Sequence, residues 1–185
     1  LQAIERFCGK NRVLVAGSTW EEDETEFIHY VRLNPDIKFI FAPHETDKGH
    51  LQDMKKIFPN ALLYSELINY PLDVPIIPNV LIIDNVGILS RLYYYADITF
   101  VGGGFGADGV HNVLEAAVYG KPVIFGPEYR KYAEAIGLVD CGGGISIQNA
   151  LELESLVNTL LEQVDVLTTK GAAANNFVYA HAGAS

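Results

Sequence analysis

The sequence predicts an α/β fold, a Rossmann-like doubly wound parallel sheet. Three observations carry that expectation. The runs VLVA, IKFIFA, VLIID, DITFV and PVIF are apolar almost throughout rather than alternating, as strands covered by helices on both faces must be. Segments of helix length separate them, so that strand and helix alternate about six times along the chain. Most of the runs also end on glycine, proline or a small polar residue, the marks of a tight turn.

Residues 1–11 (LQAIERFCGKN) read as a lead-in, the end of a linker from an upstream domain, and Leu1 in place of Met suggests a fragment. Residues 12–16 form the first strand and run into Gly17-Ser18-Thr19-Trp20, where Ser18 or Thr19 caps an acidic helix over 21–32. The same loop stands at the strand's carboxyl end, where the Ser18 amide and hydroxyl are placed to meet a phosphate or sugar. Residues 37–42 form the second strand, followed by Pro43-His44-Glu45 and a helix over 47–58 that stops before Pro59. A short strand at 62–64 leads into 65–78, which holds three prolines and reads as an irregular connection. Residues 80–84 are the next strand. Asn85-Val86-Gly87 opens a helix over 88–95, whose first amides are the strongest anion candidate in the chain.

The central stretch runs from Ala96 to Pro127. It predicts a strand (97–101), a loop carrying Gly102, Gly103, Gly104, Gly106 and Gly109, a helix over about 111–119 and a strand at 122–125. His111, Asn112 and Glu115 then share the first turns of one helix, facing the strand's carboxyl end. A carboxylate there complements the helix dipole, and Asn112 serves equally well as a cap. Behind five glycines the group points instead to a polyol or phosphate site. Glu115 repels phosphate, so its task is to accept hydrogen bonds from vicinal hydroxyls such as a ribose diol. The anion is expected over loop amides or a helix N-terminus. Further on come a helix over 128–136 with Arg130 and Lys131, a short strand in 142–147, a helix over 150–164 capped by Asn149, and a last helix in 165–185 ending near Ala180.

Composition narrows the function. The 185 residues suit one domain; 49% hydrophobic and 19% charged residues exclude a disordered chain. A net charge of −10 argues against a nucleic-acid groove. No apolar run reaches the roughly 18 residues of a spanning helix, and no signal peptide opens the chain. Cys8 and Cys141 stand apart without metal-ligand spacing, so reduced thiols in a cytoplasmic protein are expected, with no metal and no cofactor.

The run VGGGFGADGVHNVLEAAVYGKPVIFGP, with GSTW and DNVG upstream, resembles the glycine-loop and HN-x-LE signature of the Kdo (3-deoxy-D-manno-octulosonic acid) transferases. The resemblance covers most of residues 12–147. It implies the C-terminal, donor-binding half of a GT-B glycosyltransferase that moves Kdo from CMP-Kdo to a lipid A precursor. The setting implied is lipopolysaccharide biosynthesis at the cytoplasmic face of the inner membrane. On this reading 12–164 bind CMP-Kdo, 165–185 form a C-terminal helix and tail, and the catalytic base, a carboxylate, belongs to a missing N-terminal domain. Matched to the family's segments, the substrate-binding residues are Ser18, Pro43, His44, Val86, Gly87, Ile88, Gly104, His111, Asn112, Val113, Leu114 and Glu115. The family places an arginine beside the histidine after its Ala-Pro; APHE lacks it, which leaves His44 or Lys48 to meet the phosphate. Ile88 likewise replaces a common acidic residue. Two rivals are a different GT-B enzyme or epimerase using a UDP-sugar, and a non-catalytic nucleotide-binding module.

Overall fold

The computed structural model describes residues 1–183. In chain order the elements are α1 (Gln2–Cys8), β1 (Arg12–Thr19), α2 (Glu21–Glu26), α3 (Ile28–Leu33), β2 (Ile37–Pro43), α4 (Lys48–Ile57), β3 (Leu62–Leu63), α5 (Tyr64–Leu67) and β4 (Val80–Ile82). Then follow α6 (Leu89–Leu92) with a 3-10 turn at Tyr93–Tyr95, β5 (Ile98–Val101), α7 (Leu114–Ala117), β6 (Val123–Phe125), α8 (Ala133–Cys141), β7 (Gly144–Ser146), α9 (Ala150–Glu162) and α10 (Val164–Gly183). The seven strands form one all-parallel sheet in the order β3-β4-β2-β1-β5-β6-β7. The Rossmann-like expectation therefore holds.

The apolar runs are continuous because each strand feeds two cores. Val13, Val15, Ile40, Leu81, Val101 and Phe125 pack on one face with Phe7 of α1, Tyr93, Leu138 of α8 and Ala174 of α10. Leu14, Ala16, Phe39, Phe41, Ile82 and Phe100 pack on the other with Phe27, Met54 of α4 and Val157 of α9. Strand order reverses at β1, whose neighbours are β2 and β5. Their carboxyl ends form the crevice where open α/β sheets take ligands.

Several boundaries differ from the sequence reading, each for a local reason. The 1–11 segment carries a helix that joins the core: α1 buries Ile4, Phe7 and Cys8, and burial pushes the Cys8 thiol up to about 11. From α1, Arg6 donates to the carbonyls of Tyr70, Pro71 and Val74. Lys38, buried in β2 over the Phe7 ring, donates to Ile76 and Pro78. These bonds fix the proline-rich 65–78 segment, whose start is the short helix α5.

The acidic helix breaks at Phe27, which is fully buried edge-on against both Phe41 and Phe100. The helix expected at 128–136 begins only at Ala133, because the preceding residues brace the glycine loop. Glu128 N donates to the Gly104 carbonyl, Val110 N to that of Glu128, and the Tyr132 hydroxyl to that of Asp108. Asn149 caps α9 as expected, its Oδ1 accepting from Glu152 N at 3.0 Å. The tail expected after Ala180 falls partly on 184–185, outside the described residues.

Candidate functional site

The carboxyl edge is built on a strained turn. Ser18 has φ of +53°, the one positive value outside glycine among the described residues, and β1 slips register against β2 between Gly17 and Thr19. A serine held left-handed at a sheet edge is the kind of backbone strain that gathers at functional sites. Neither Ser18 nor Thr19 caps α2. That task falls to Asp23, whose Oδ2 accepts from Trp20 N at 2.8 Å and also from Gly103 N at 3.0 Å. The Thr19 hydroxyl instead donates to Glu24 Oε2 at 2.7 Å, and His50 Nε2 lies 3.1 Å from that carboxylate. Two buried acids of α2 thus tie β1, the glycine loop and α4 together.

Burial raises the Asp23 carboxyl to about 6, against the pull of its two backbone donors, and raises Glu24 as well. Asp23 Oδ1 is buried with no hydrogen-bond partner. A carboxyl whose folded pKa exceeds its unfolded value of about 3.9 stabilises fully below that value. The contribution is lost as pH rises through about 6. We therefore expect the melting temperature of the unmutated chain, minus that of Asp23→Asn, to fall between pH 4 and pH 7. A difference independent of pH contradicts this reading of Asp23.

Nine of the twelve residues matched to the family's substrate contacts gather as two groups. Ser18, Pro43, His44, Val86 and Gly87 line one cleft of about 170 Å³, with Asn85 and Leu89 among its other walls. His111, Asn112, Val113 and Leu114 line a second of about 460 Å³, closed by Tyr132 and Glu134. Ile88 and Val113 are buried, and Ile88 lines neither cleft. Gly104 lines neither cleft. An added Cβ there would lie 2.7 Å from Gly126 N, so this glycine serves the packing of the β5 and β6 loops. Lys48 lines neither cleft.

Three expectations about helices and amides are corrected. The helix expected over 111–119 is only α7, because His111 N donates to the Gly102 carbonyl and Asn112 Oδ1 accepts from Leu114 N. His111, Asn112 and Glu115 therefore do not share a helical face. The helix after Gly87 is four residues long with no side-chain cap, too short to act as an anion-binding dipole, and neither Asp84 nor Asn85 caps it. Asp84 accepts instead from Ser65 N and its hydroxyl. In the glycine loop the amides of Gly102, Gly103, Gly106 and Gly109 are already spent on Gly17, Asp23, Gly103 and Gly106. That leaves little of the expected amide cradle.

A ring cluster joins the clefts. The Trp20 indole N–H donates to His111 Nε2 at 2.7 Å with the rings 19° from parallel and centroids 6.1 Å apart, an edge-to-edge pair. His44 lies over both, at 4.3 Å from Trp20 and 4.7 Å from His111. Burial holds the His111 imidazolium down, and the nearby His44 adds to that. Trp20 and Asp23 were missed from sequence as site-building residues. GSTW marked the turn, but nothing local showed a partner 91 residues away. Glu115, half-buried at the start of α7, has no hydrogen-bond or ion-pair partner among the described residues. Its charge reaches the buried Tyr93 phenol, whose ionisation burial chiefly and Glu115 secondarily push up.

No family model matches the chain. It is 32% identical over 163 residues to a 3-deoxy-D-manno-octulosonic acid transferase of Rickettsia prowazekii (strain Madrid E), covering 86% of this chain and 35% of that protein. It is 34% identical over 139 residues to the enzyme of the same name from Chlamydophila psittaci, covering 71% of this chain and 30% of that one. The chain thus spans about a third of the length of the curated relatives it matches. Among solved structures it shares the fold of the C-terminal CMP-Kdo binding domain of WaaA from Acinetobacter baumannii. That match has a TM-score of 0.77 at 18% identity, over 96% of this chain and 98% of that one. With a shared sequence over most of its length and the matching fold, the chain belongs to the 3-deoxy-D-manno-octulosonic acid transferase family.

Proposed function

We propose that this chain is the donor-binding domain of a glycosyltransferase that moves Kdo from CMP-Kdo to a lipid A precursor. The setting proposed is lipopolysaccharide synthesis at the cytoplasmic face of the inner membrane. The observation that carries the reading is the convergence of Ser18, His44, Gly87 and His111 on one sheet edge in a chain related to named Kdo transferases. Glu115, without a partner among the described residues and next to that edge, is the acceptor for the ribose hydroxyls. His44 stands where the family's arginine would meet the phosphate, and its exposed ring is stacked and held in place for that contact. The catalytic base belongs to the part of the full-length relatives that this chain does not match, so the chain by itself binds donor without turning it over. No helix among the described residues is long and apolar enough to cross a membrane.

Calorimetric titration with CMP and UMP tests the proposal. CMP is expected to bind and UMP to bind more weakly. Preference for UMP favours a UDP-sugar enzyme, and no affinity for either favours a non-catalytic module.

A further inference from the structure

Trp20 is the single tryptophan of the chain, and its ring nitrogen is only ever a donor. Its hydrogen bond to His111 Nε2 therefore requires that nitrogen to be unprotonated. The His111 hydrogen must then sit on Nδ1. The Cδ2–Nε2 edge of the ring lies over Gly103, where an added Cβ would come within 2.8 Å of Cδ2. The Nδ1 edge is the opposite one, and Nδ1 has no hydrogen-bond partner among the described residues. His111 also lines the larger cleft.

We propose that Trp20 is a positioning residue. It locks His111 as the neutral Nδ1–H tautomer and so presents a fixed donor to an oxyanion of the sugar-nucleotide donor, either its phosphate or its sugar carboxylate. This rests on the donor-binding reading above and names a part of that site. The lock has three components. The indole N–H occupies Nε2, the near-parallel rings allow little rotation, and His44 stacked across the pair covers one face. A neutral imidazole in water favours hydrogen on Nε2, so without Trp20 the ring turns its acceptor, not its donor, toward the cleft. Burial first, and the nearby His44 second, disfavour charge on His111, and the bond at Nε2 fixes which nitrogen of the neutral ring carries its hydrogen.

The test reads the ring itself. Long-range proton–nitrogen correlation spectra of the ligand-free chain are expected to show His111 with protonated Nδ1 and bare Nε2. In Trp20→Phe, which keeps the stacked ring and loses the donor, the pattern should shift toward Nε2–H. Affinity for CMP or for free Kdo should then fall about 3- to 10-fold, the scale of one neutral hydrogen bond. A fall for CMP assigns the phosphate, and a fall for Kdo assigns the carboxylate. An Nε2–H signal in the unmutated chain overturns the proposal whether or not the variant folds. A tautomer unchanged in Trp20→Phe, or both affinities unchanged, overturns it too. If neither probe binds the unmutated chain, the donor-binding reading falls, while the ring signal still decides the lock.

Discussion

Gly102→Ala is expected to destabilise the chain by at least about 3 kcal/mol, the upper range for overpacking a rigid site. For a domain of this size that lowers the melting temperature by roughly 6–12 °C. The added Cβ would run into the Ser18 carbonyl, stand 2.6 Å from Thr19 Cα and 2.8 Å from Asp23 Oδ2. Two of these are backbone atoms of the strained β1 turn, and Gly102 N is itself bonded to the Gly17 carbonyl at 2.8 Å. Relief requires β1 and β5 to part at their carboxyl ends, which opens the crevice between them. Gly106→Ala is the internal control. There the Cβ would meet one atom, Gly103 O at 3.5 Å, an ordinary contact. Its effect should stay within about 0.5 kcal/mol. Equal melting temperatures for the two variants would show that the crevice is not packed as described.

Glu115→Gln is expected to weaken CMP binding by about 10- to 150-fold, the span that corresponds to a hydrogen bond with a charged acceptor, about 1.5–3 kcal/mol. The carboxylate has no partner within the described chain, so its accepting capacity is available to a ligand. The variant keeps shape and some hydrogen bonding but loses the charge. It should bind 2′,3′-dideoxy-CMP about as well as the unmutated chain does, because the hydroxyls that Glu115 serves are already gone. A residue that only complemented a helix terminus would change stability by up to about 1 kcal/mol and treat both nucleotides alike. Because α7 has only four residues, that alternative is weak here. Equal losses for the two nucleotides would remove Glu115 from the ribose.

The sheet was legible because burial on both faces leaves a plain mark: VLVA, VLIID and DITFV admit few other readings. What stayed hidden was set by tertiary partners. Phe27 breaks a helix that its own neighbours favour, because Phe41 and Phe100 take its ring. Residues 1–11 gave no strong period, yet Phe7 and Cys8 complete one core. At the site, the sequence located the three turns correctly but misjudged their chemistry. It placed an anion over loop amides or a helix N-terminus, whereas Asp23 and neighbouring carbonyls already hold four of the loop amides. It read His111 and Asn112 as helical, whereas an Asn112 side-chain bond starts the helix later. Trp20 and His111 are 91 positions apart, and only the meeting of β1 and β5 brings them together.

CMP is expected to bind along the carboxyl edge of the sheet, across both clefts and the ring cluster between them. Amide chemical-shift mapping during titration with CMP tests it most directly. The largest changes are expected at Ser18, His44, Val86–Ile88 and His111–Glu115, together with the single indole N–H signal of Trp20. The opposite edge offers its own hollow of about 260 Å³, lined by Pro35, Phe58, Pro59 and Asn60 among others. Changes confined to that hollow, with the carboxyl edge silent, would contradict the claim.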